Sequence, residues 1–200
     1  MELKKYHHGN LKNALIQAGV EILSKEGLGG LSLRKVARRA GVSHSAPYAH
    51  FTDKQSLIAA ISTEGFFQLY SQLDAAISPY TGDPKIQLLE GSRAYVQFAL
   101  HHSDTFKIMF SGVLEKEKDY PSFVEISYKT FNLVVSIVRA CQEVGLLIST
   151  PAEVMAVVVW GQIHGIVSLA LEGQISHTLL EQNTVEDMVT LAMEKVILSK

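Results

Sequence analysis

Small and polar side chains follow Gly41 in the first quarter of the sequence: His44, Ser45, Ala46 and Ala49. Side chains of this kind fit into the major groove of DNA, which is about 12 Å wide, and can approach base edges there. Gly41 tolerates the positive φ that the turn between two crossing helices requires. The spacing therefore predicts a helix-turn-helix motif over about residues 32–51.

Histidines are the other residues that could do chemistry. His101 and His102 lie near Asp104, but neighbouring helical residues diverge by about 100° and do not easily share one metal ion. The sequence contains no HExxH motif, spaced Cys/His set, glycine-rich phosphate loop or nucleophile elbow. We therefore predict no metal, no cofactor and no catalytic residue. An enzyme that uses His164, or His101 with His102, is the alternative.

Charge is distributed unevenly along the 200 residues. Residues 1–55 contain nine Lys or Arg and four Asp or Glu, a net charge of +5, whereas residues 56–200 have a net charge of −7. A basic first part predicts contact with a polyanion. Cys141 is the only cysteine, which excludes an intramolecular disulfide. The polar start of the chain and short apolar runs such as Ala156–Trp160 predict a cytoplasmic protein outside the membrane.

Apolar periodicity predicts an all-α fold of about nine helices. The first helix is expected from Asn10, a predicted N-cap, to Lys25, before a glycine-rich stretch. Ser32 is predicted to cap the second helix, and Thr52 with Gln55 to form a capping box at the start of the fourth, which runs to about residue 79. A capping box of Thr184 and Asp187 is predicted for the last helix. The remaining helices are expected at about residues 43–51, 84–102, 104–111, 121–144, 151–172 and 185–198.

The run LSLRKVARRAGVSHSAPYAHFTDKQSLIAAI (31–61) resembles the DNA-binding domain of the TetR family of repressors. The matching features are Ala37, the Gly-Val-Ser turn at 41–43, the Tyr-x-His-Phe sequence at 48–51, and Lys54 with Leu57. This resemblance covers residues 9–62. It implies a three-helix DNA-binding domain over residues 1–55 and a helical ligand-binding and dimerisation domain over residues 56–200.

The resemblance also implies roles for single residues in DNA binding. Tyr48, His50 and Lys54 match positions that contact phosphates, and a phosphate beside Lys54 would also meet the free N–H groups of a helix N-terminus. Base reading is expected of His44, Ser45 and Ala46 with help from Arg34. The predicted DNA-binding residues are Arg34, Ser43, His44, Ser45, Ala46, Tyr48, His50 and Lys54. Pro47 and Ala49 depart from the usual family pattern, so the operator sequence is not predicted. The segment Lys4–His8 is either an arm that contacts DNA or a solubilising tail.

The later part of the chain resembles the family less specifically. The run VVVWGQIHGIVSLAL (157–171) is similar to the Trp-His-Gly signature of one C-terminal class, and Trp160 and His164 would lie one helical turn apart. Aromatic and methionine side chains in the middle helices would suit an apolar effector pocket, or else an ordinary core. The predicted pocket residues are Tyr95, Phe98, Met109, Phe110, Phe131, Trp160 and His164.

Small residues on the penultimate helix would let another helix approach closely, either within the chain or from a second copy. In the family the last two helices form a four-helix bundle with those of the partner. The residues predicted for this dimer interface are Gly161, Gly165, Ser168, Met188, Val189, Ala192 and Val196.

These observations together predict a dimeric repressor that binds a near-palindromic operator in double-stranded DNA and is released by a small-molecule effector. A constitutive DNA-binding protein without an effector is the alternative within the same class. The identity of the effector, the regulated genes and the choice between repression and activation do not follow from the sequence.

Overall fold

The computed structural model describes residues 8–198, with side chains from Leu11 onward. Its regular elements are all helical over that range, which confirms the predicted fold class. Three short 3₁₀-helices occur at Ala46–Ala49, Ser78–Tyr80 and Glu117–Asp119. The nine described α-helices are α1 (His8–Gly30), α2 (Leu33–Arg39), α3 (Lys54–Ile77), α4 (Pro84–His101), α5 (Ser103–Met109), α6 (Pro121–Glu143), α7 (Ala152–Leu171), α8 (His177–Gln182) and α9 (Val185–Val196).

The helices of the structure differ from the prediction in three places. The third expected helix is a single 3₁₀ turn, Ala46–Ala49, because Pro47 supplies no backbone N–H to a longer helix. The short helix α8 was not predicted, although Ser176 caps it by accepting a hydrogen bond from the Leu179 N–H. Helix α1 begins before Asn10, which is therefore not its N-cap, and its backbone breaks at Gly27, where φ is +65°.

The helix caps were predicted with mixed success. Ser32 caps α2 by accepting from the Lys35 N–H, and Thr184 forms a capping box with Asp187, both as expected. The capping box predicted for Thr52 and Gln55 is wrong. Asp53 accepts from the Ser56 N–H at 2.8 Å, and the Asp53 N–H donates to Ser56 Oγ at 3.1 Å. A carboxylate is the stronger acceptor, so the cap lies one residue later and leaves the Gln55 amide available elsewhere.

The chain divides into two compact units. The first, here called the head unit, extends to Phe66 and also includes Asp104–Glu125; the second, the body unit, contains Phe67–Ser103 and the chain from Ile126 onward. The head unit is thus larger than the predicted domain 1–55, because α5 and the loop after it pack with the N-terminal helices. A functional boundary at residue 55 stays a prediction.

The head core holds α1, α2 and the first half of α3 together. Leu15, Val36 and Leu57 are fully buried there, and burial of such a side chain stabilises the fold by about 1.5–3 kcal/mol. Gly19 brings α3 against α1, since a Cβ at that position would lie 3.0 Å from Ile61 Cδ1. This packing holds the turn after α2 on a rigid base.

The body core is formed by α4, α7 and α9, which pack against one another. Its buried polar side chains are satisfied within their own helices: Ser92 Oγ donates to the Leu88 carbonyl and Thr130 Oγ1 to the Ile126 carbonyl, each at 2.7 Å. Fully buried apolar residues of this core include Val96, Phe98, Ala99, Val138, Ala156, Val159, Val167 and Met193.

Candidate nucleic-acid interface and effector region

The turn after α2 has the geometry of a helix-turn-helix motif. Gly41 adopts φ +69°, and the Val42 N–H donates to the Ala37 carbonyl at 3.0 Å, which closes the end of α2. A side chain at Gly41 would be strained by this positive φ. The polar residues that follow, Ser43, His44 and Ser45, are all exposed. Residues 43–49, here called the reading segment, therefore begin on the surface of the head unit as predicted.

Pro47 explains how the reading segment is held. Its ring is buried, and its carbonyl accepts from the N–H groups of His50 and Phe51, both at 2.9 Å. Phe51 is also buried, so the segment is anchored at both positions. Pro47 thus takes the place of the aliphatic residue usual in the family, while Tyr48 remains 55% exposed. Of the other predicted contacts, Ala46 and His50 are half-buried, while Ala49, which departs from the family pattern, is exposed.

The cations near this surface fall into two groups. The Lys35 ammonium bonds the Glu26 carboxylate and lowers its pKa, and Arg39 bonds Glu21 at 3.0 Å. Arg34 and Arg38 are exposed and form no ion pair with any side chain between residues 11 and 198. They lie four residues apart on one face of α2. Arg34 was predicted as a DNA contact, and Arg38 is a second exposed cation on the same face of α2 that the prediction did not include.

Lys54 has a structural contact that the sequence did not reveal. Its half-buried ammonium donates to the carbonyl of Leu28, directly after the break at Gly27. This bond ties the end of α1 to the start of α3. An ammonium has three donors, so a phosphate contact by Lys54 is compatible with the bond and stays a prediction. Lys4–His7 and the side chain of His8 lie outside the described residues, and so does the arm predicted for them.

Three of the predicted pocket residues are brought together in the body unit. Trp160 Nε1–H donates to the Tyr95 hydroxyl at 3.0 Å, and that hydroxyl lies 2.8 Å from His164 Nδ1. The Tyr95 hydroxyl therefore joins Trp160 to His164, and the direction of its bond with His164 depends on the tautomer of the imidazole ring. Burial raises the pKa of Tyr95 and lowers the pKa of His164. The cluster is therefore a neutral hydrogen-bonded network, and Tyr95 at its centre is only 7% exposed.

The other predicted pocket residues are not joined to this network by a described hydrogen bond. Phe98 is fully buried and Phe131 is half-buried in the body unit. Met109 and Phe110 belong to the head unit, where Met109 lies against Gly65 and Phe110 packs edge-on against Phe66 with ring centroids 5.5 Å apart. An effector pocket among these seven residues stays a prediction.

One face of α7 is apolar and exposed. A Cβ at Gly161 or Gly165 would meet nothing within 4 Å, so these glycines do not serve a close helix crossing within the described chain. Ser168 on the same face is half-buried. About half of each large apolar side chain nearby is exposed, at Val154, Val157, Val158 and Leu169. By length and composition alone α7 could also cross a membrane, a test that core helices of soluble proteins pass too.

The predicted interface residues of α9 are less exposed than the apolar face of α7. Val189 is 1% exposed and belongs to the body core, while Met188, Ala192 and Val196 are half-buried. Leu191 is the large exposed apolar residue of this helix, and it was not among the predicted interface residues. Apolar side chains occur on several sides of α7 and α9, so periodicity could not show which of them face outward.

Two parts of the chain match known families. Residues 15–61 match the family described as bacterial regulatory proteins, tetR family, and residues 88–194 match the tetracyclin repressor-like C-terminal domain. The chain belongs to the TetR family. Its fold is that of TetR-family transcription regulators, with a DNA-binding N-terminal domain followed by a helical C-terminal domain.

Individual relatives agree with this assignment. The chain is 25% identical over 114 residues to YobS, an uncharacterized HTH-type transcriptional regulator of Bacillus subtilis (strain 168), covering 57% of this chain and 59% of YobS. It is 28% identical over 96 residues to the class A tetracycline repressor of transposon 1721 from Escherichia coli, covering 48% of this chain and 43% of that repressor. A solved structure of a protein with unknown function from Rhodococcus sp. RHA1 is similar at a TM-score of 0.78 with 32% identity, over 97% of both chains.

Proposed function

We propose that this TetR-family chain is a cytoplasmic, dimeric transcriptional repressor that binds a near-palindromic operator and releases it when a small molecule binds the body unit. The observation that carries the proposal is the exposed reading segment, which follows a positive-φ turn and stands on a buried core. The similarity to a tetracycline repressor supports repression rather than activation.

DNA contacts are assigned by exposure and chemistry. Ser43, His44 and Ser45 are exposed donors and acceptors that can reach base edges, and the small Ala46 lets the backbone approach the groove. Arg34, Tyr48 and His50, with Lys54, would contact phosphates and fix the register of the protein on the duplex. Arg34 can also reach a base edge, because an arginine fork fits guanine.

Dimerisation would use the exposed apolar face of α7. Val154, Val157, Val158 and Leu169 lie on this face beside Gly161 and Gly165, where added side chains would meet nothing in the described chain. Exposed apolar surface of this kind marks an interaction site. Leu191 of α9 would extend the interface, and Gly165 and Ser168 would allow close approach of the partner helix. A two-fold dimer would place two reading segments in successive major grooves, roughly 34–36 Å apart.

Effector binding is proposed around Trp160, Tyr95 and His164, the part of the chain that resembles the Trp-His-Gly class. The three side chains offer polar groups among apolar helices, as small-molecule sites commonly do. An effector could release DNA only to the extent that it binds the released form more tightly. A constitutive DNA-binding protein without effector is the second candidate, because Phe98 and its neighbours fill the body core.

The test is selection of bound sequences from a pool of random duplexes. Enrichment of one near-palindromic sequence by the wild type, lost in a variant with His44 and Ser45 changed to Ala, is the expected result. Repeating the selection with a panel of metabolites would separate an effector-responsive repressor from the constitutive alternative. A wild type that enriches no palindrome would contradict the proposal.

A further inference from the structure

Gln55 in the first turn of α3 grips the loop that follows α5. Its Nε2 donates to the Val113 carbonyl at 3.3 Å, and its Oε1 accepts from the Glu115 N–H at 3.0 Å. The two hydrogen bonds join the amide to the backbone on either side of Leu114. The amide thus uses one donor and one acceptor on the loop, as a neighbouring β-strand would. If the Gln55 amide were rotated by 180°, its oxygen would face the Val113 carbonyl oxygen. The Val113 carbonyl and the Glu115 N–H therefore fix the orientation of the amide.

Apolar contacts support this grip. Val113 and Leu114 are partly buried against the core of the head unit, to which Ile108 of α5 belongs. Further along α3, a Cβ at Gly65 would overlap the Met109 sulfur and lie 2.9 Å from Thr105 Cγ2. The segment from α5 to Glu115 is therefore held at two places on α3, about 15 Å apart along the helix axis.

The first turn of α3 follows the reading segment closely, and Phe51 between them is buried in the same core against which Val113 and Leu114 pack. Asp53 and Ser56 cap the helix, and Lys54 bonds the end of α1 at Leu28. Gln55 adds the loop after α5 to the same turn. These residues begin four positions after the last residue of the reading segment, Ala49. A displacement of the loop would therefore act on the core that holds Phe51, directly after the DNA-reading side chains.

We propose that Gln55 is a positioning residue that couples the loop at residues 113–115 to the DNA-reading side chains. This inference rests on the proposed function, and it adds a route by which the chain beyond the N-terminal domain sets operator affinity. Gln55 acts through backbone atoms of the loop and is not assigned a contact with DNA. The grip involves no charged group of the loop, so it would persist at high salt.

The test uses Gln55→Met, Glu115→Pro and the two changes together. Glu115→Pro removes the backbone N–H that donates to Gln55 Oε1. Glu115→Ala keeps that N–H and is the matched control. Each of the first two changes is expected to weaken binding of the selected duplex about 5- to 20-fold, as the loss of one or two hydrogen bonds would. The double variant should bind the duplex no more than about twofold more weakly than either single variant, because both changes disrupt the same pair of hydrogen bonds. Glu115→Ala should bind like the wild type.

Amide hydrogen exchange of the free protein provides a second readout that needs no DNA. Exchange at Glu115 is expected to be at least about tenfold faster in Gln55→Met than in the wild type, with an unchanged helical spectrum. Weaker DNA binding in Gln55→Met alone, with exchange at Glu115 unchanged, would show that Gln55 contacts DNA and overturn the inference. Equal affinities in all variants would overturn it too and leave the proposed function standing. A wild type that binds no duplex would overturn both.

Discussion

The head and body units use their polar side chains in opposite ways. In the head unit Ser43, His44 and Tyr48 point outward from a buried base, and the polar anchors behind them bond backbone atoms. In the body unit Tyr95 and His164 are turned inward and bond each other. The exposed reading segment therefore suits a large, hydrated and charged partner. The inward network of Tyr95 and His164 instead suits a small molecule bound among apolar helices.

The largest effect is expected from the body core. Phe98→Ala should lower the free energy of unfolding by about 3–5 kcal/mol, because a fully buried ring leaves a cavity when removed. Urea denaturation measures this loss, and Phe131→Ala, at a half-buried position, is the control with a smaller cost. A loss for Phe98→Ala below about 1 kcal/mol would place its ring beside an open pocket rather than in the core.

A charge on α7 tests whether the apolar face joins two copies. In a two-fold dimer Val158→Asp places two carboxylates in the interface, at a cost of several kcal/mol. We expect monomers in sedimentation experiments and operator affinity reduced at least about 100-fold. Tyr128→Asp, at another exposed position of the body unit, is the control and should remain dimeric. A dimeric Val158→Asp variant would remove this face from the interface.

Burial of His164 makes stability depend on pH in the body unit. Burial holds the pKa of His164 below its usual 6.5, so the unfolded chain binds more protons than the folded chain near that pH. The stabilisation is therefore complete above about pH 6.5 and is lost as the pH falls toward the lower folded value. Tyr95→Phe should lower the free energy of unfolding by about 1–3 kcal/mol, because it removes the hydroxyl that bonds both Trp160 and His164.

Titration of the His164 ring by NMR checks this prediction. His164→Gln should flatten the pH dependence of unfolding between about pH 5 and 7. A His164 pKa at or above 6.5 would contradict a buried neutral network.

The smallest expected effect concerns the cations of α2. Arg38→Ala should weaken binding of all duplexes similarly and reduce the dependence of log affinity on log salt by about one. Arg39→Ala should reduce this salt dependence less, because Glu21 already pairs with Arg39. Affinity measured at several salt concentrations separates the two. Equal slopes for both variants would mean that the ion pair does not distinguish them.

The head and body units also differ in which of their features could be predicted from the sequence. In the head unit the turn at Gly41, the Ser32 cap and the exposed reading segment depend on local residues, and they were predicted correctly. The grip of Gln55 on residues 113–115 joins positions about 60 apart in the chain and could not be inferred from local pattern. The same applies to Lys54, whose partner Leu28 lies in another helix.

In the body unit the limit was different. Trp160 and His164 were expected one turn apart, and they are, but Tyr95 joins them from α4 through a tertiary contact. Helix α7 is apolar on nearly every side, so its exposed face emerged only from the packing of α4 and α9 against it. Val189 was assigned to the interface for the same reason, although it lies in the core.

Footprinting of the wild type on its selected duplex is the decisive test of a dimer that reads DNA with the reading segment. We expect two chains per duplex and two protected half-sites centred about one helical turn apart, roughly 34–36 Å, with protection lost when His44 and Ser45 are changed to Ala. A single protected site bound by one chain, or uniform protection that does not depend on those two residues, would contradict a dimeric DNA-binding protein of this kind.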